Sequence, residues 1–342
     1  MKGKTFAMFV APSLIMMMLF IAAPLVSVFF QSFYQSRTIS EQVTVENCTP
    51  GFLAPVCTKE TKSIPRLGAN GKPITETTFI GLDAYRSLLQ PDQVSKALSP
   101  GGGGLSAILS IDFYKALRFT LTFTLLTLPL VLGLGLLIAL AINNCVRSLR
   151  GAAIFVTLLP FIITPVIGAL AIRWLFLGDG ILTLGIEWVL GRDISMFAQA
   201  WTVELMMLIY KVWHVAPFAF VVFYAALQTV DQDTLESAIV DGASRFERLR
   251  YVIIPHLMPL MVFVALIHLM DSYRVFDEVI GFSSQAHVIS LQWLTFSFLT
   301  PDETGNRAIT RASASSMLTM VGIVILLIPL LMRTWRTHRG RR

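Results

Sequence analysis

Six stretches of the chain are almost uninterrupted runs of apolar residues: 6–33, 114–142, 152–176, 201–227, 257–282 and 312–332. A helix rises about 1.5 Å per residue, so roughly twenty apolar residues cross a hydrocarbon core, and each run meets that length. The pattern predicts six membrane-spanning helices. The first run follows Lys2 and Lys4, as the core of a secretory leader would, but it far exceeds the roughly 7–15 residues of a cleaved segment. It is expected to be retained as a span.

The polar positions between the runs orient them. Basic residues cluster at Lys2 and Lys4, at Arg147 and Arg150, at Arg245, Arg248 and Arg250, and in the tail at Arg333, Arg336, Arg339, Arg341 and Arg342. Such clusters mark the cytoplasmic face, and six crossings with both termini inside satisfy all of them. The chain then divides into an N-terminal span at 1–33, an extracytoplasmic connection at 34–113, a membrane core at 114–332 with a cytoplasmic loop at 228–256, and a basic tail at 333–342. Two further connections, 177–200 and 283–311, lie outside. The long first connection carries Pro50, Gly51, Pro55, Pro65, Gly68, Gly71, Pro73 and a glycine run from Gly101 to Gly104, which is loop chemistry. Residues 288–299 are apolar but too short to span, as in an interfacial or re-entrant helix.

Composition agrees with this partition. The chain has 342 residues, of which 55% are hydrophobic and 14% charged, and its mean hydropathy is +0.69. Soluble domains do not have this balance. The net charge of +6 sits in short loops and at the ends, not along one amphipathic face, which argues against nucleic acid as a partner. Three cysteines match no zinc or redox spacing, so no metal is expected. Cys48 and Cys57 share the long outer connection and can pair if that compartment is oxidising. Cys145 falls on the other side as a free thiol.

Residues 236–259 interrupt two apolar runs with charge. Asp231, Asp233 and Glu236 favour helix initiation, Gly242 permits a bend, and Phe246, Leu249 and Val252 or Ile253 follow helical spacing up to Pro255. The expectation is a helix-turn-helix along the cytoplasmic face. Glu236, Ala238, Asp241, Gly242, Ala243, Ile254 and Pro255 together resemble the EAA loop of ABC importer permeases. Ser237 replaces the usual first Ala, Leu249 the usual Phe, and Val252 and Ile254 the usual Ile and Leu. The stretch Phe79-Ile80-Gly81-Leu82-Asp83-Ala84-Tyr85 resembles one that sugar permeases carry before their second helix. The chain as a whole is similar to the maltose and glycerol-phosphate permease group.

That resemblance implies an all-α polytopic fold of the type I importer permease with a cytoplasmic coupling helix, in a bacterial inner membrane. It implies a second homologous permease subunit, two ATPase subunits that bind ATP and Mg, an extracytoplasmic solute-binding protein, and a carbohydrate, polyol or sugar derivative as cargo. Glu236, Ala238, Asp241, Gly242, Ala243 and Pro255 would form the ATPase-coupling element. The chain itself has no G-x-x-x-x-G-K-[ST] loop, no H-E-x-x-H and no G-x-S-x-G, so it is expected to be no enzyme and to bind no cofactor. Where the group often carries Thr-x-Gly-Gly-Pro, this chain reads Gly281-Phe282-Ser283-Ser284-Gln285-Ala286-His287.

Charged residues inside the membrane are costly and face a bundle interior or an aqueous path. Span four carries Lys211 and His214, and span five carries His268, Asp271, Arg274 and Glu278 at three-to-four spacing. With Tyr210, Trp213 and Tyr273 they are candidates for a solute pathway, and equally for ion pairs that hold helices together. Asp277, on another face of the helix, is counted with them as a pathway candidate. His, Asp and Glu on one helix also fit a proton relay, hence an ion-coupled secondary transporter as the alternative. That alternative leaves residues 236–255 unexplained. Arg173 and Trp174 read as interfacial anchors, and Pro129, Pro160, Pro165 and Pro217 as kinks.

Overall fold

The computed structural model describes residues 3–49, 56–68, 74–101, 103–193, 195–302 and 306–339. Expectations resting on Lys2, Pro50, Gly51, Pro55, Gly71, Pro73, Gly102, Arg341 and Arg342 fall outside that set, as do the thiol positions of Cys48 and Cys57. In chain order the helices begin with α1 (Gly3–Met17) and α2 (Ala23–Gln31). Among the described residues four strands follow: β1 (Tyr34–Thr38), β2 (Ser40–Thr49), β3 (Val56–Pro65) and β4 (Thr75–Phe79). Three short helices come next, α3 (Asp83–Leu89), α4 (Pro91–Leu98) and α5 (Gly104–Leu109). The long apolar elements are α6 (Asp112–Asn143), α7 (Arg147–Ile162), α8 (Pro165–Phe176), α9 (Ile181–Leu190) and α10 (Ala200–Leu227). Then come α11 (Gln232–Val240), α12 (Arg245–Arg248), α13 (Ile254–Tyr273), α14 (Asp277–Gly281), α15 (Leu291–Ser297) and α16 (Ile309–Arg339).

Among the described residues five helical stretches are long and apolar enough to cross a membrane: Met8–Gln31, Asp112–Asn143, Ala200–Leu227, Arg245–Tyr273 and Ile309–Met332. A sixth crossing exists if α7 and α8 count together, but they meet at 94° and not as one helix. The cause is local. Pro165 opens α8, and the residue before a proline is pushed out of the helical region. Thr164 and Ile163 are both extended, with ψ of 136° and 134°. The fifth apolar run is corrected as well: its helix stops at Tyr273, and α14 restarts after a three-residue break.

One compact unit comprises residues 1–108 and 294–320. The connection read from sequence as loop is in part β structure, so the fold is predominantly helical and not purely so. β1 and β4 pair antiparallel from Tyr34 opposite Phe79 to Thr38 opposite Thr75, and β2 and β3 pair through ten positions. Gly81, at φ +58°, turns the chain from β4 into α3. There the Phe79-to-Tyr85 stretch delivers Tyr85, whose hydroxyl donates to Ser32 Oγ at 2.8 Å. Ala84, Leu88 and Ala314 form a small buried core with Phe298 and Leu318 packed on it. The apolar stretch 288–299 supplies a helix of only seven residues, α15.

The other unit, residues 109–293 and 321–342, is a helix bundle built on α6, α10 and α13. Without a hydrophobic force between helices in lipid, close packing and hydrogen bonds hold such bundles, and small residues permit it. Gly135 of α6 meets α10 so closely that an added Cβ would lie 2.5 Å from the Ala219 Cβ. One apolar cluster gathers Phe119, Phe123, Met207, Val279 and Phe282, and a second gathers Val131, Phe220, Phe223, Leu257 and Val264. The outward positions of the same helices, such as Leu126, Leu137 and Phe263, remain exposed apolar surface, as lipid-facing positions require.

Candidate functional site

Two features of the bundle carry chemistry: the bent polar segment between α10 and α13, and a set of buried charges on α10, α13 and α14.

The bent segment is specified by its caps. Asp231 starts α11 by accepting from the Asp233 amide at 3.2 Å and from the Thr234 hydroxyl at 2.7 Å. The Thr234 hydroxyl and then the Asp233 amide stabilise its charged form and hold the carboxyl below its ordinary value. At the other end the Ala243 amide donates to the Ala238 carbonyl at 2.9 Å and the Gly242 amide to that of Ile239 at 3.0 Å. This is a Schellman termination, and it needs a left-handed residue at the position Gly242 occupies with φ +79°. Ser244 immediately opens the next helix with a capping box: its amide donates to Glu247 Oε2 at 2.7 Å, and the Glu247 amide donates to Ser244 Oγ at 3.3 Å. Two helix ends thus stand back to back across residues 241–244.

The expected second coupling helix is corrected here. Beyond α12 the chain winds through a π-turn, Leu249–Ile253, directly into α13, so Pro255 does not end a helix. A wider turn leaves a carbonyl and an amide out of the usual ladder, which is where a proline without an N–H can be absorbed. α12 therefore runs into α13 without an intervening loop. Glu236, Asp241 and Gly242 are exposed, and Ala238 and Ala243 half-buried. Beside them the apolar side chains of Ile239, Val240, Phe246 and Tyr251 are also exposed, Val240 by 87%. A cavity of about 880 Å³ opens alongside, lined by Asn143, Gln228, Arg245, Phe246 and Leu249 among others.

The buried charges group differently from the stripe read in sequence. Lys211 Nζ lies 2.8 Å from Asp271 Oδ2 and 2.8 Å from Glu278 Oε1. Its side chain is 6% exposed and that of Glu278 2%, whereas Asp271 is 57% exposed. The break after Tyr273 is what brings Glu278, on α14, back beside Lys211. His268 belongs to another group: its Nε2 is 3.0 Å from Thr127 Oγ1 on α6, and Ser272 Oγ lies 3.1 Å from that nitrogen. Arg274 caps α13, donating from Nε to the Met270 carbonyl, and is exposed. Tyr273 is buried against α16 at Gly322. Trp213 is 43% exposed, and Asp277 is half-buried in the first turn of α14.

Tyr210 and His214 are both buried and serve the broken span. The Tyr210 hydroxyl donates to the Pro165 carbonyl at 2.8 Å, and His214 Nε2 donates to the Ile163 carbonyl at 2.9 Å. A broken helix at membrane depth leaves carbonyls without partners, and side chains from a neighbouring helix must satisfy them. His214 does so at Ile163, which ends α7, and Tyr210 adds a second bond at Pro165 in the first turn of α8; the sequence announced neither. The Ser244–Glu247 capping box was legible as S-x-x-E and is the missed signal in the polar segment.

Residues 103–342 match the family described as binding-protein-dependent transport system inner membrane component. The chain belongs to that family. Among curated relatives it is 25% identical over 206 residues to the arabinooligosaccharides transport system permease protein AraP of Halalkalibacterium halodurans, covering 60% of this chain and 59% of that protein. It is 30% identical over 183 residues to the trehalose/maltose transport system permease protein MalF of Thermococcus litoralis, covering 51% of this chain and 59% of that one. Each of these matches therefore spans less than two thirds of the relative. A crystal structure of a bacterial ABC transporter involved in import of the acidic polysaccharide alginate superimposes with a TM-score of 0.67 at 20% identity, over 97% of this chain and 95% of that one. The fold is that of an ABC importer permease, mostly helical, with its candidate spans in the inner-membrane component of such a system.

Proposed function

We propose that the chain is one of two permease subunits of an ATP-driven, binding-protein-dependent carbohydrate importer, working by alternating access. The observation that carries this reading is the segment from Asp231 to Ile253. It combines a glycine-dependent bend, two fully capped helix ends, exposed apolar residues at Ile239, Val240 and Phe246, and direct helical continuity into α13. Exposed apolar groups ringed by charge mark a docking surface. On this reading an ATPase subunit grips α11 and α12, and its closure moves α13 and the charges α13 bears. Both termini and this segment lie in the cytoplasm, and the connection carrying β1 to β4 lies outside, where a solute-binding protein delivers cargo. ATP and Mg bind the partner subunits.

The cargo is read as an uncharged hydroxyl-rich solute. Lys211 is clasped by two carboxylates, so an anionic sugar would meet more negative than positive charge there, while Trp213 and Asp271 offer an aromatic face and a hydrogen-bond acceptor. The relatives whose names specify arabinooligosaccharides, trehalose and maltose support a carbohydrate. The test has two arms. Gly242→Pro and Glu236→Lys should abolish ATPase association in detergent and energised uptake in vesicles; association and uptake unchanged in both would refute the coupling assignment. Uptake that survives an inactive ATPase but collapses with the proton gradient would instead identify an ion-coupled carrier. A tracer screen with Asp271→Ala then reports the pathway, and wild-type affinity and rate would return that residue to a packing role.

A further inference from the structure

β2 and β3 form a ribbon of two strands with no third strand beside it among the described residues. Their twenty positions include only Val43, Val45, Val56 and Ile64 as large aliphatic residues. A two-stranded ribbon is marginal in water without a hydrophobic face or a staple. The register supplies a place for one: Cys48 stands directly opposite Cys57, one pair before the ladder ends at Thr49 and Val56. Opposed Cα atoms in an antiparallel ladder are about 4.5 or 5.5 Å apart, according to whether the pair shares hydrogen bonds. A disulfide accepts about 4.4–6.8 Å, so either kind of pair is within range. Cys145, by contrast, is a free thiol in the turn after α6.

We infer that Cys48 and Cys57 are joined by a cross-strand disulfide that staples the tip of this ribbon. The bond requires the hairpin to lie in an oxidising compartment, so the inference rests on the outward placement given above. Each thiol loses its proton, and the pair gives two electrons to the disulfide of an extracytoplasmic dithiol oxidase, which departs as the dithiol. A bond at this position fixes register. A one-residue slip would move every side chain of the ribbon to its other face, and with Cys48 held against Cys57 the ladder keeps Glu46 opposite Lys59 and Thr44 opposite Thr61.

The test uses the full chain in its native membrane, with Cys145→Ser to leave two thiols. After denaturation, maleimide coupled to polyethylene glycol should add nothing without reductant and two adducts with it. Two adducts without reductant would overturn the bond. Trypsin should release residues 38–59 as one peptide lighter by two hydrogens than its reduced form. Chymotryptic cleavage after Phe52 should leave its halves joined until reduction, and halves that separate unreduced would overturn the bond too. A Cys48→Ser, Cys145→Ser protein checks placement separately. Its single Cys57 should react with an impermeant maleimide on intact spheroplasts, and reaction only after permeabilisation would overturn the outward assignment itself.

Discussion

Removing Lys211 should cost far more than removing Asp271, although both end the same 2.8 Å ion pair. The difference is burial. Glu278 is 2% exposed and has Lys211 as its counter-ion, so Lys211→Met leaves a carboxylate uncompensated in the interior. Breaking a buried pair in this way costs about 3–5 kcal/mol. Asp271 is 57% exposed, and its loss leaves Lys211 still paired with Glu278, so Asp271→Asn should cost about 0–1 kcal/mol. For a cooperative unit of about 150–250 residues, the size class of the helix bundle at 109–293 and 321–342, each kcal/mol lowers Tm by about 2–4 °C, giving a fall of roughly 10 °C for Lys211→Met and at most a few degrees for Asp271→Asn. The double variant Lys211→Met, Glu278→Gln removes both buried charges and should recover much of the loss. Thermal unfolding of the purified detergent-solubilised protein, followed by intrinsic tryptophan fluorescence, reads all three. Equal losses for the two single variants, or no recovery in the double variant, would refute the assignment of Glu278 as the member that needs Lys211.

Ser244→Ala removes the hydroxyl half of the capping box and should cost about 1 kcal/mol locally, seen as faster amide exchange in α12 with α10 unchanged. Gly135→Leu places a side chain where even a Cβ would lie 2.5 Å from Ala219, so α6 and α10 should separate and the yield of folded protein in detergent should fall sharply; Gly133→Leu, where an added Cβ meets nothing within 4 Å, is the control. The Asp231 carboxyl is held below its ordinary value by the Thr234 hydroxyl and the Asp233 amide. Its contribution to α11 is therefore complete above the ordinary carboxylate range and lost as pH falls through the depressed value. The protection of the Asp233 amide, its intrinsic exchange rate at each pH divided by the observed rate, should fall on acidification in the wild type, and Asp231→Asn should flatten that dependence.

What could be read without coordinates was what depends on local period and length. The apolar runs located the spans because a hydrocarbon core demands about twenty apolar residues whatever the neighbours are. The bend at Gly242 was legible because a helix end with a left-handed residue almost names glycine. Strand pairing in 34–113 was not legible, since β1 to β4 are rich in Thr and other polar residues and offer little period-two alternation of apolar positions to read. The break between α7 and α8 was only half legible. Pro165 announced a disturbance, but a 94° bend instead of a kink depends on His214 arriving from another helix to take the freed Ile163 carbonyl, with Tyr210 bonded to Pro165 beside it.

The charged positions show the same division. Sequence alone determined that Lys211, Asp271 and Glu278 fall within apolar runs, where a charge needs a partner or an aqueous path whatever the fold. It could not assign the partners. Three-to-four spacing put His268, Asp271, Arg274 and Glu278 on one stripe only while the helix was taken as continuous. The chain leaves the helix after Tyr273, and that tertiary event alone places Glu278 against Lys211 and leaves His268 with Thr127 and Arg274 at the surface. Periodicity is a property of one helix, whereas pairing requires two elements to meet, and only the packed bundle decides which ones do.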